Sequence, residues 1–197
     1  RNYDFSTTTG IIVRTNPTDG RYASISSADL QFIGITDGAE LDSISKKILC
    51  LAAPFIPLDG INEKGVACGI YMTYQGPEGD VAATNQQTDK PDITSTTMLR
   101  MILDYAASVD EAVALVEKYD LHDSADTSFH YMVADSTGKS AVLEWVAADD
   151  ENDTDGTKRE LKVYYNDDDA AVGTMEAADN FQYLTNFIIT PDYYASD

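Results

Sequence analysis

Residues 59–72 read DGINEKGVACGIYM, and this stretch combines a tight turn with the start of a long apolar run. The pair Lys64-Gly65 marks the turn, because glycine adopts the backbone angles that a sharp reversal needs. Asn62 stands just before it and suits the same reversal, so we interpret Asn62 as a structural residue. The apolar run after the turn is predicted to form a central strand of a sheet.

This predicted strand covers residues 66–74 and shows partial alternation of its side chains. Successive side chains of a strand point to opposite faces, which places Val66, Cys68 and Ile70 on one face. Met72 follows near the end of the strand, where a site can open. The strand therefore supplies both a piece of the core and a candidate functional position.

Short apolar runs separated by turn residues predict further strands. Before residue 59 they are RNYDF (1–5), GIIVRTNPTDG (10–20), RYASISSA (21–28) and DLQFIGITDG (29–38), with hairpin turns expected at Asp19-Gly20 and Asp37-Gly38. In the last third they are SFHYMVADSTG (128–138), KSAVLEWVAAD (139–149), RELKVYYND (159–167) and NFQYLTNFIIT (180–190). A turn at residues 135–138 is expected to join the first two of these.

Two adjacent helices are predicted between the two groups of strands, after a polar loop at residues 75–91. Thr94 or Ser95 can cap the first helix, and the S-x-x-E pattern of residues 108–111 is typical of a capping box at the start of the second. Strands, a helix pair and strands again predict an α+β fold in one domain, residues 1–197. Two helices cover only one face of one sheet, so we expect a second sheet to stack on the first.

The charge balance limits the partners of the chain. Thirteen Lys and Arg against 34 Asp and Glu give a net charge of -21, which disfavours binding to nucleic acid or to an anionic membrane surface. No run approaches the ~18 to 20 apolar residues that span a bilayer. The sequence leaves open whether the protein is cytoplasmic or secreted, and whether it forms a homo-oligomer.

Common cofactor and metal signatures are absent from the sequence, and we predict neither a cofactor nor a metal site. His122 and His130 are the two histidines of the chain and are interpreted as structural. Residues 151–156, ENDTDG, resemble a calcium loop but lack the closing Glu, since Lys162 stands there. Cys50 and Cys68 lie in apolar runs and are expected to pack in the core, although a disulfide between them remains open.

Arg1 and Asp4 are charged residues within the strand-like run RNYDF. Burying a charge is costly unless the charge is paired or used. Residues three apart on a strand point to opposite faces, so a simple ion pair would need a bulge or kink. Taken alone, the two residues indicate a structural ion pair.

The order of four motifs resembles the choloylglycine hydrolase family along nearly the whole chain. RNYDF is followed by DGINEKGVACGIYM, a helix pair, HYMVADSTGKSAVLEW and YLTNF. That family includes bile salt hydrolases, penicillin V acylases and related linear-amide C–N hydrolases of the Ntn-hydrolase superfamily. The resemblance implies a four-layer αββα sandwich of two stacked, mainly antiparallel sheets.

The resemblance also implies a mechanism, in which an N-terminal Cys attacks an amide carbonyl while its own α-amino group acts as the base. A free α-amine titrates near pH 8, and a thiolate beside a guanidinium is a strong nucleophile. On this pattern Arg1 stabilises the thiolate and Asp4 orients the α-amine. The oxyanion donors are the backbone N–H of Met72 and the side-chain amide of Asn186.

The substrate is the least defined part of this pattern. Bile salt hydrolases carry Asn at the Met72 position and penicillin V acylases carry Tyr, so the chain matches neither subgroup there. Tyr71, Tyr74 and Phe187 are candidate walls of an acyl pocket, and they favour an apolar acyl group. The expected substrate is a small N-acyl amide such as a conjugated bile salt, penicillin V or a fatty-acyl amide.

The family pattern places its nucleophilic Cys upstream of Arg1 and a further active-site Arg beyond Asp197, so we expect the domain to be incomplete at both ends. Neither Cys50 nor Cys68 can replace that nucleophile, because neither is N-terminal. The favoured function of the full-length protein is thiol-dependent amide hydrolysis. Acyl transfer through the same acyl-enzyme, or a catalytically silent binding module, are the alternatives.

Overall fold

A seven-stranded antiparallel sheet is the frame of the fold. The structure is a computed structural model that describes residues 8–73, 82–125, 127–147, 155–167, 174–175, 181–191 and 193. Its strands are β1 (Gly10–Thr15), β2 (Ser24–Asp29), β3 (Pro57–Asn62), β4 (Ala67–Met72), β5 (Asp92–Thr94), β6 (Asp120–His122), β7 (Phe129–Ala134), β8 (Ser140–Ala147), β9 (Arg159–Tyr165), β10 (Thr174–Met175) and β11 (Phe181–Gln182). Its α-helices are α1 (Ile44–Leu49), α2 (Ser95–Tyr105) and α3 (Val109–Val116).

Strand β4 lies at the centre of the large sheet, whose order is β1-β2-β3-β4-β7-β8-β9. This confirms the prediction of a central strand. The turn before it is also confirmed, since Gly65 has a φ of 84° and connects the antiparallel strands β3 and β4. Strands β5 and β6 form a small parallel pair, and β10 and β11 a small antiparallel one.

Helices α2 and α3 pack on one face of the sheet and enclose the main core with it. Met98 and Ile102 of α2 are fully buried against apolar side chains of β4 and β7. Thr94 caps α2, and the Oγ of Ser108 accepts the N–H of Glu111 at 3.2 Å at the start of α3. The predicted helices and their N-caps are confirmed, as is the α+β class with a large antiparallel sheet.

The opposite face of the sheet carries apolar side chains that the described residues leave open. Ile12, Ile25 and Ile61 lie on this face and are 74%, 51% and 49% exposed. Exposed apolar side chains in adjacent strands are typical of a surface that another layer covers. This is the face on which the predicted second sheet would stack.

The prediction of a strand at residues 29–38 is wrong. Residues Leu30–Ile33 and Gly38–Asp42 are 3₁₀-helices, and Asp37-Gly38 begins the second of them and is no hairpin turn. The reason is local, because Asp29 and Asp37 side chains accept the N–H groups of Gln31 and Ala39 and so cap the two helices. The helical segment that follows, α1 and the 3₁₀-helix Cys50–Phe55, was not predicted either.

The turns at residues 19–20 and 135–138 are confirmed. Arg21 N–H donates to the Thr18 carbonyl at 2.9 Å, and Gly138 N–H donates to the Asp135 carbonyl at 3.1 Å. The predicted strand at residues 180–190 is largely wrong, because only Phe181–Gln182 is extended and paired. The predicted strand at residues 1–5 lies outside the described residues.

Two further expectations concern the cysteines and the membrane. Cys50 and Cys68 do not form a disulfide with each other, and Cys68 is buried in the main core. Among the described residues, none of the helices has the length and apolar character needed to cross a bilayer.

Candidate active site

The C-terminal end of β4 presents the backbone of Met72 away from strand β7. Thr73 N–H donates to the carbonyl of Ser128, the residue just before β7, at 3.1 Å. The backbone groups of Thr73 therefore face β7. In an antiparallel sheet the N–H and C=O of the preceding residue face the other way. The pairing with β3 on that side runs only from Ala67 to Gly69. The N–H and C=O of Met72 therefore point together to a place beyond the end of β3.

Asn186 lies at this same place. Its Nδ2 donates to the Met72 carbonyl oxygen at 2.8 Å, although the two residues are 114 positions apart. A side-chain amide has two N–H groups, so this bond leaves one for a ligand. The structure thus brings together two of the site residues predicted from the sequence.

Asn186 belongs to an irregular segment, residues 185–190, which we call the Asn186 strap. The strap crosses β7 and β8 on the face opposite to the helices, where His130 and Glu144 pair across the two strands. The N–H groups of Ile189 and Thr190 donate to the Glu144 carboxylate at 2.8 and 2.9 Å, and the Thr190 hydroxyl does so at 2.8 Å. A side chain of the sheet therefore replaces the strand partner that this segment was predicted to have.

His130 completes the anchor of the strap. Its Nδ1 lies 2.9 Å from Glu144 Oε1 and its Nε2 lies 2.7 Å from the Thr185 carbonyl oxygen. The side chains of His130 and Glu144 are 0% and 1% exposed. The structural interpretation of His130 agrees with this burial and with these partners.

Sequence reasoning missed Glu144, although a signal for it was present. Glu144 is the one charged residue of SAVLEWVA, a strand with seven buried positions. A buried charge needs a partner or a use, which is the same criterion that singled out Arg1 and Asp4. Applied to residues 140–147, it would have marked Glu144 as a residue with a buried partner.

Two of the three predicted wall residues are sequence neighbours of Met72 and Asn186. Tyr71 is half-buried and its ring meets that of His130 edge-on, with centroids 6.2 Å apart. Phe187 follows Asn186 and is 55% exposed. Arg1, Asp4 and Tyr74 lie outside the described residues.

An open apolar concavity extends from Tyr71 across the same face of the sheet. Its volume is about 420 Å³, and its floor includes small residues, among them Ala67, Gly69 and Ala134. Small side chains at these three neighbouring positions leave space above the sheet, which forms the concavity. Apolar surface is thus available next to the Met72 end of β4.

A second, polar hollow lies near His122 and Asp123. Burial raises the pKa of Asp123, whose carboxylate accepts hydrogen bonds from Thr84 N–H at 2.7 Å and Ser95 Oγ at 2.8 Å. His122 Nε2 lies 3.2 Å from Asp92 Oδ1. No cluster of three or more His, Cys, Asp or Glu that could hold a metal occurs among the residues described. Of the calcium-like stretch 151–156, residues 151–154 lie outside the description.

Comparisons with known proteins match a family model and a curated relative to parts of the chain. Residues 53–166 match the family model described as acyl-coenzyme A:6-aminopenicillanic acid acyl-transferase. A penicillin V acylase from Pectobacterium atrosepticum is 30% identical over 96 residues, which cover 45% of this chain and 25% of that protein. The chain therefore spans about a quarter of the length of this curated relative.

Two solved structures are also similar. A variant of the conjugated bile acid hydrolase from Clostridium perfringens has a TM-score of 0.48 and 19% identity, over 84% of this chain and 44% of that one. Penicillin V acylase from Agrobacterium tumefaciens has a TM-score of 0.43 and 18% identity, over 80% of this chain and 39% of that one.

Proposed function

The chain belongs to the acyl-coenzyme A:6-aminopenicillanic acid acyl-transferase family, and we propose that the complete protein cleaves a linear amide C–N bond of a small N-acyl compound. The proposed reaction passes through a thioester on an N-terminal cysteine. The similar penicillin V acylase supports amide cleavage as the class of reaction.

One observation carries the proposal, namely the 2.8 Å hydrogen bond from Asn186 Nδ2 to the Met72 carbonyl. It supports the assignment of these two residues as oxyanion donors, because the Met72 N–H shares its direction with the Met72 carbonyl. The second N–H of the Asn186 amide can then point to the same oxygen of a bound substrate. Two fixed donors suit the tetrahedral oxyanion of acyl transfer.

In the proposed reaction the cysteine thiolate attacks the amide carbonyl carbon, and the oxyanion forms between Met72 N–H and Asn186. The C–N bond breaks and the amine leaves with a proton from the α-ammonium group of the cysteine. Water then hydrolyses the thioester, with the α-amine as base. Arg1 stabilises the thiolate, and Asp4 holds the α-amine in the orientation that accepts the proton.

We propose an apolar acyl group for the substrate. Tyr71 precedes Met72 and Phe187 follows Asn186 in the chain, and the apolar concavity extends from Tyr71. Tyr74 is a third proposed wall residue. The phenoxyacetyl group of penicillin V, the steroid of a conjugated bile acid and a fatty acyl chain all share this character.

Acyl transfer to an amine is a second candidate, because the matching family model is described as an acyl-transferase. The same thioester serves both reactions, with an amine in place of water. Product analysis with and without a competing amine separates them. A transferase yields the new amide in preference to the free acid.

The test of the proposal uses the complete protein with its upstream sequence. We expect it to cleave at least one compound in a panel of penicillin V, conjugated bile acids and fatty-acyl amides. Exchange of the N-terminal cysteine for alanine should abolish cleavage while the protein stays folded, as circular dichroism would report. Undiminished cleavage by the alanine variant would contradict the thioester mechanism, and a complete chain without an N-terminal cysteine would support the silent binding module instead.

A further inference from the structure

The buried pair of His130 and Glu144 has an unusual set of partners. Three groups of the Asn186 strap donate hydrogen bonds to the Glu144 carboxyl group. Oε1 faces Ile189 N–H and the His130 ring, and Oε2 faces the N–H and the hydroxyl of Thr190. Tyr164 hydroxyl donates to Thr190 Oγ1 at 2.9 Å, which directs the Thr190 hydroxyl proton to Glu144. Glu144 is therefore held to both Ile189 and Thr190 by three hydrogen bonds.

His130 links Glu144 to the other end of the strap. Its Nδ1 lies 2.9 Å from Glu144 Oε1, and its Nε2 lies 2.7 Å from the Thr185 carbonyl oxygen. A carbonyl oxygen can only accept, so Nε2 carries a proton and donates to Thr185. Glu144 and Thr185 therefore hold the ring from both of its nitrogens.

This pair fixes the Asn186 strap at both of its ends. Thr185, on one side of Asn186, is held by His130, and Ile189 and Thr190, on the other side, are held by Glu144. Both side chains are buried, where a hydrogen bond is electrostatically stronger than in water. Residues 185–190 form no strand, and these bonds hold the backbone on both sides of the Asn186 amide.

We propose that His130 and Glu144 are positioning residues for catalysis, which act by holding Asn186 at the oxyanion site. This extends the proposed function and rests on it, since the catalytic role assigned to Asn186 comes from there. Neither residue touches substrate in this proposal. Their effect reaches the reaction only through the position of one amide.

The kinetic test uses the complete protein and the variant Glu144→Gln. Glutamine keeps the size of the side chain but places an N–H₂ group against N–H and O–H donors. We expect kcat to fall on the order of 10²-fold with KM changed less than about threefold, because an oxyanion donor acts in the transition state. The double variant Glu144→Gln with Asn186→Ala should be no slower than Asn186→Ala alone, since both changes remove the same interaction.

The matched control is Asn62→Ala, which also removes a buried polar side chain but lies far from the strap in the fold. It should lower stability and leave kcat of the folded protein unchanged. The milder Thr190→Val removes one donor to Glu144 and serves if Glu144→Gln does not fold. It should reduce kcat by a smaller factor.

A second readout is independent of activity. Hydrogen exchange of the peptide that covers residues 181–191 should become faster in Glu144→Gln and stay unchanged in Asn62→Ala under native conditions. Unchanged exchange in Glu144→Gln, or an unchanged kcat in a protein whose Asn186→Ala variant is slow, would overturn the positioning role. If the wild-type protein cleaves no amide while the exchange result holds, the proposed function fails and the anchoring of the strap stands.

Discussion

Two asparagines at the two ends of strand β4 use their side chains differently. Asn62 precedes β4, is 5% exposed, and makes four hydrogen bonds to the backbone: Oδ1 accepts from Lys64 and Val66, and Nδ2 donates to Leu103 and Ala106. Asn186 lies at the other end of β4, and within the described part of the chain its side chain makes one such bond, to Met72. Asn62 therefore joins the β3–β4 turn to the end of α2, whereas the Asn186 amide has a second N–H that the bond to Met72 does not use.

The difference separates a residue of the fold from a residue of the site. A buried side chain whose donors and acceptor are all engaged has nothing left for a ligand, and its loss costs stability. A half-buried amide on an irregular strap costs less to replace but retains a donor. Changes at Asn62 should therefore lower stability, and changes at Asn186 should lower kcat.

The largest effect is expected from Asn186→Asp in the complete protein. This change removes both N–H donors and places a carboxylate near the Met72 carbonyl and the developing oxyanion. We expect kcat to fall by about 10³-fold. Steady-state kinetics on the best amide of the panel measure it, and urea unfolding checks that the midpoint changes little. A kcat within tenfold of wild type would remove Asn186 from the site.

The same substitution at the other asparagine, Asn62→Asp, should act on stability. The carboxylate still accepts from Lys64 and Val66 but faces the carbonyls of Leu103 and Ala106, which now lack a donor. We expect the free energy of unfolding to fall by about 3 kcal/mol. Urea denaturation measures this loss. A large fall in kcat without loss of stability would erase the distinction between the two asparagines.

The smallest effect concerns pH at the Asn62 end of the molecule, where the turn at residues 135–138 lies against Gly65. Burial raises the pKa of Asp135, but hydrogen bonds from Thr137 and from Val109 N–H outweigh burial and lower the pKa below 3.8. A lowered pKa in the folded state gives stability that is complete above pH 3.8 and is lost as the pH falls through the folded value.

Asp135→Asn should abolish this contribution. The difference in urea midpoint between the wild type and Asp135→Asn should shrink between ~pH 5 and ~pH 2, because only the wild type loses a carboxylate there. Both proteins contain the other carboxyl groups, so the titration of those groups cancels in the difference between the two urea midpoints. A constant difference across this range would show that the hydrogen bonds of Asp135 do not depend on its charge.

Sequence patterns predicted the elements whose signals are local. The alternation of residues 66–72, 128–134 and 139–147 and the caps at Thr94 and Ser108 lie within a few positions of the elements they define. Asp29 and Asp37 misled the prediction because their side chains can either begin a turn or cap a helix, and neighbouring apolar residues do not distinguish these outcomes. In the structure both side chains cap 3₁₀-helices, at Leu30–Ile33 and Gly38–Asp42.

The strap shows a second limit. Residues 180–190 have the composition of a strand, yet residues 185–190 bond to the side chains of His130 and Glu144. A carboxylate that accepts three bonds from one segment competes successfully with a strand partner. The sequence of residues 180–190 does not predict these bonds, since Glu144 belongs to strand β8.

The sequence by itself determined the α+β class, the central strand β4, the helix pair and the identity of Met72 and Asn186 as candidates. The tertiary structure decided that these two residues meet, that Glu144 anchors the strap, and that Asn62 serves the fold alone. The physical reason is the distance along the chain between the residues that interact. Periodicity and capping act between neighbours in the chain, whereas a hydrogen bond between residues 114 positions apart depends on how the sheet and the strap are packed.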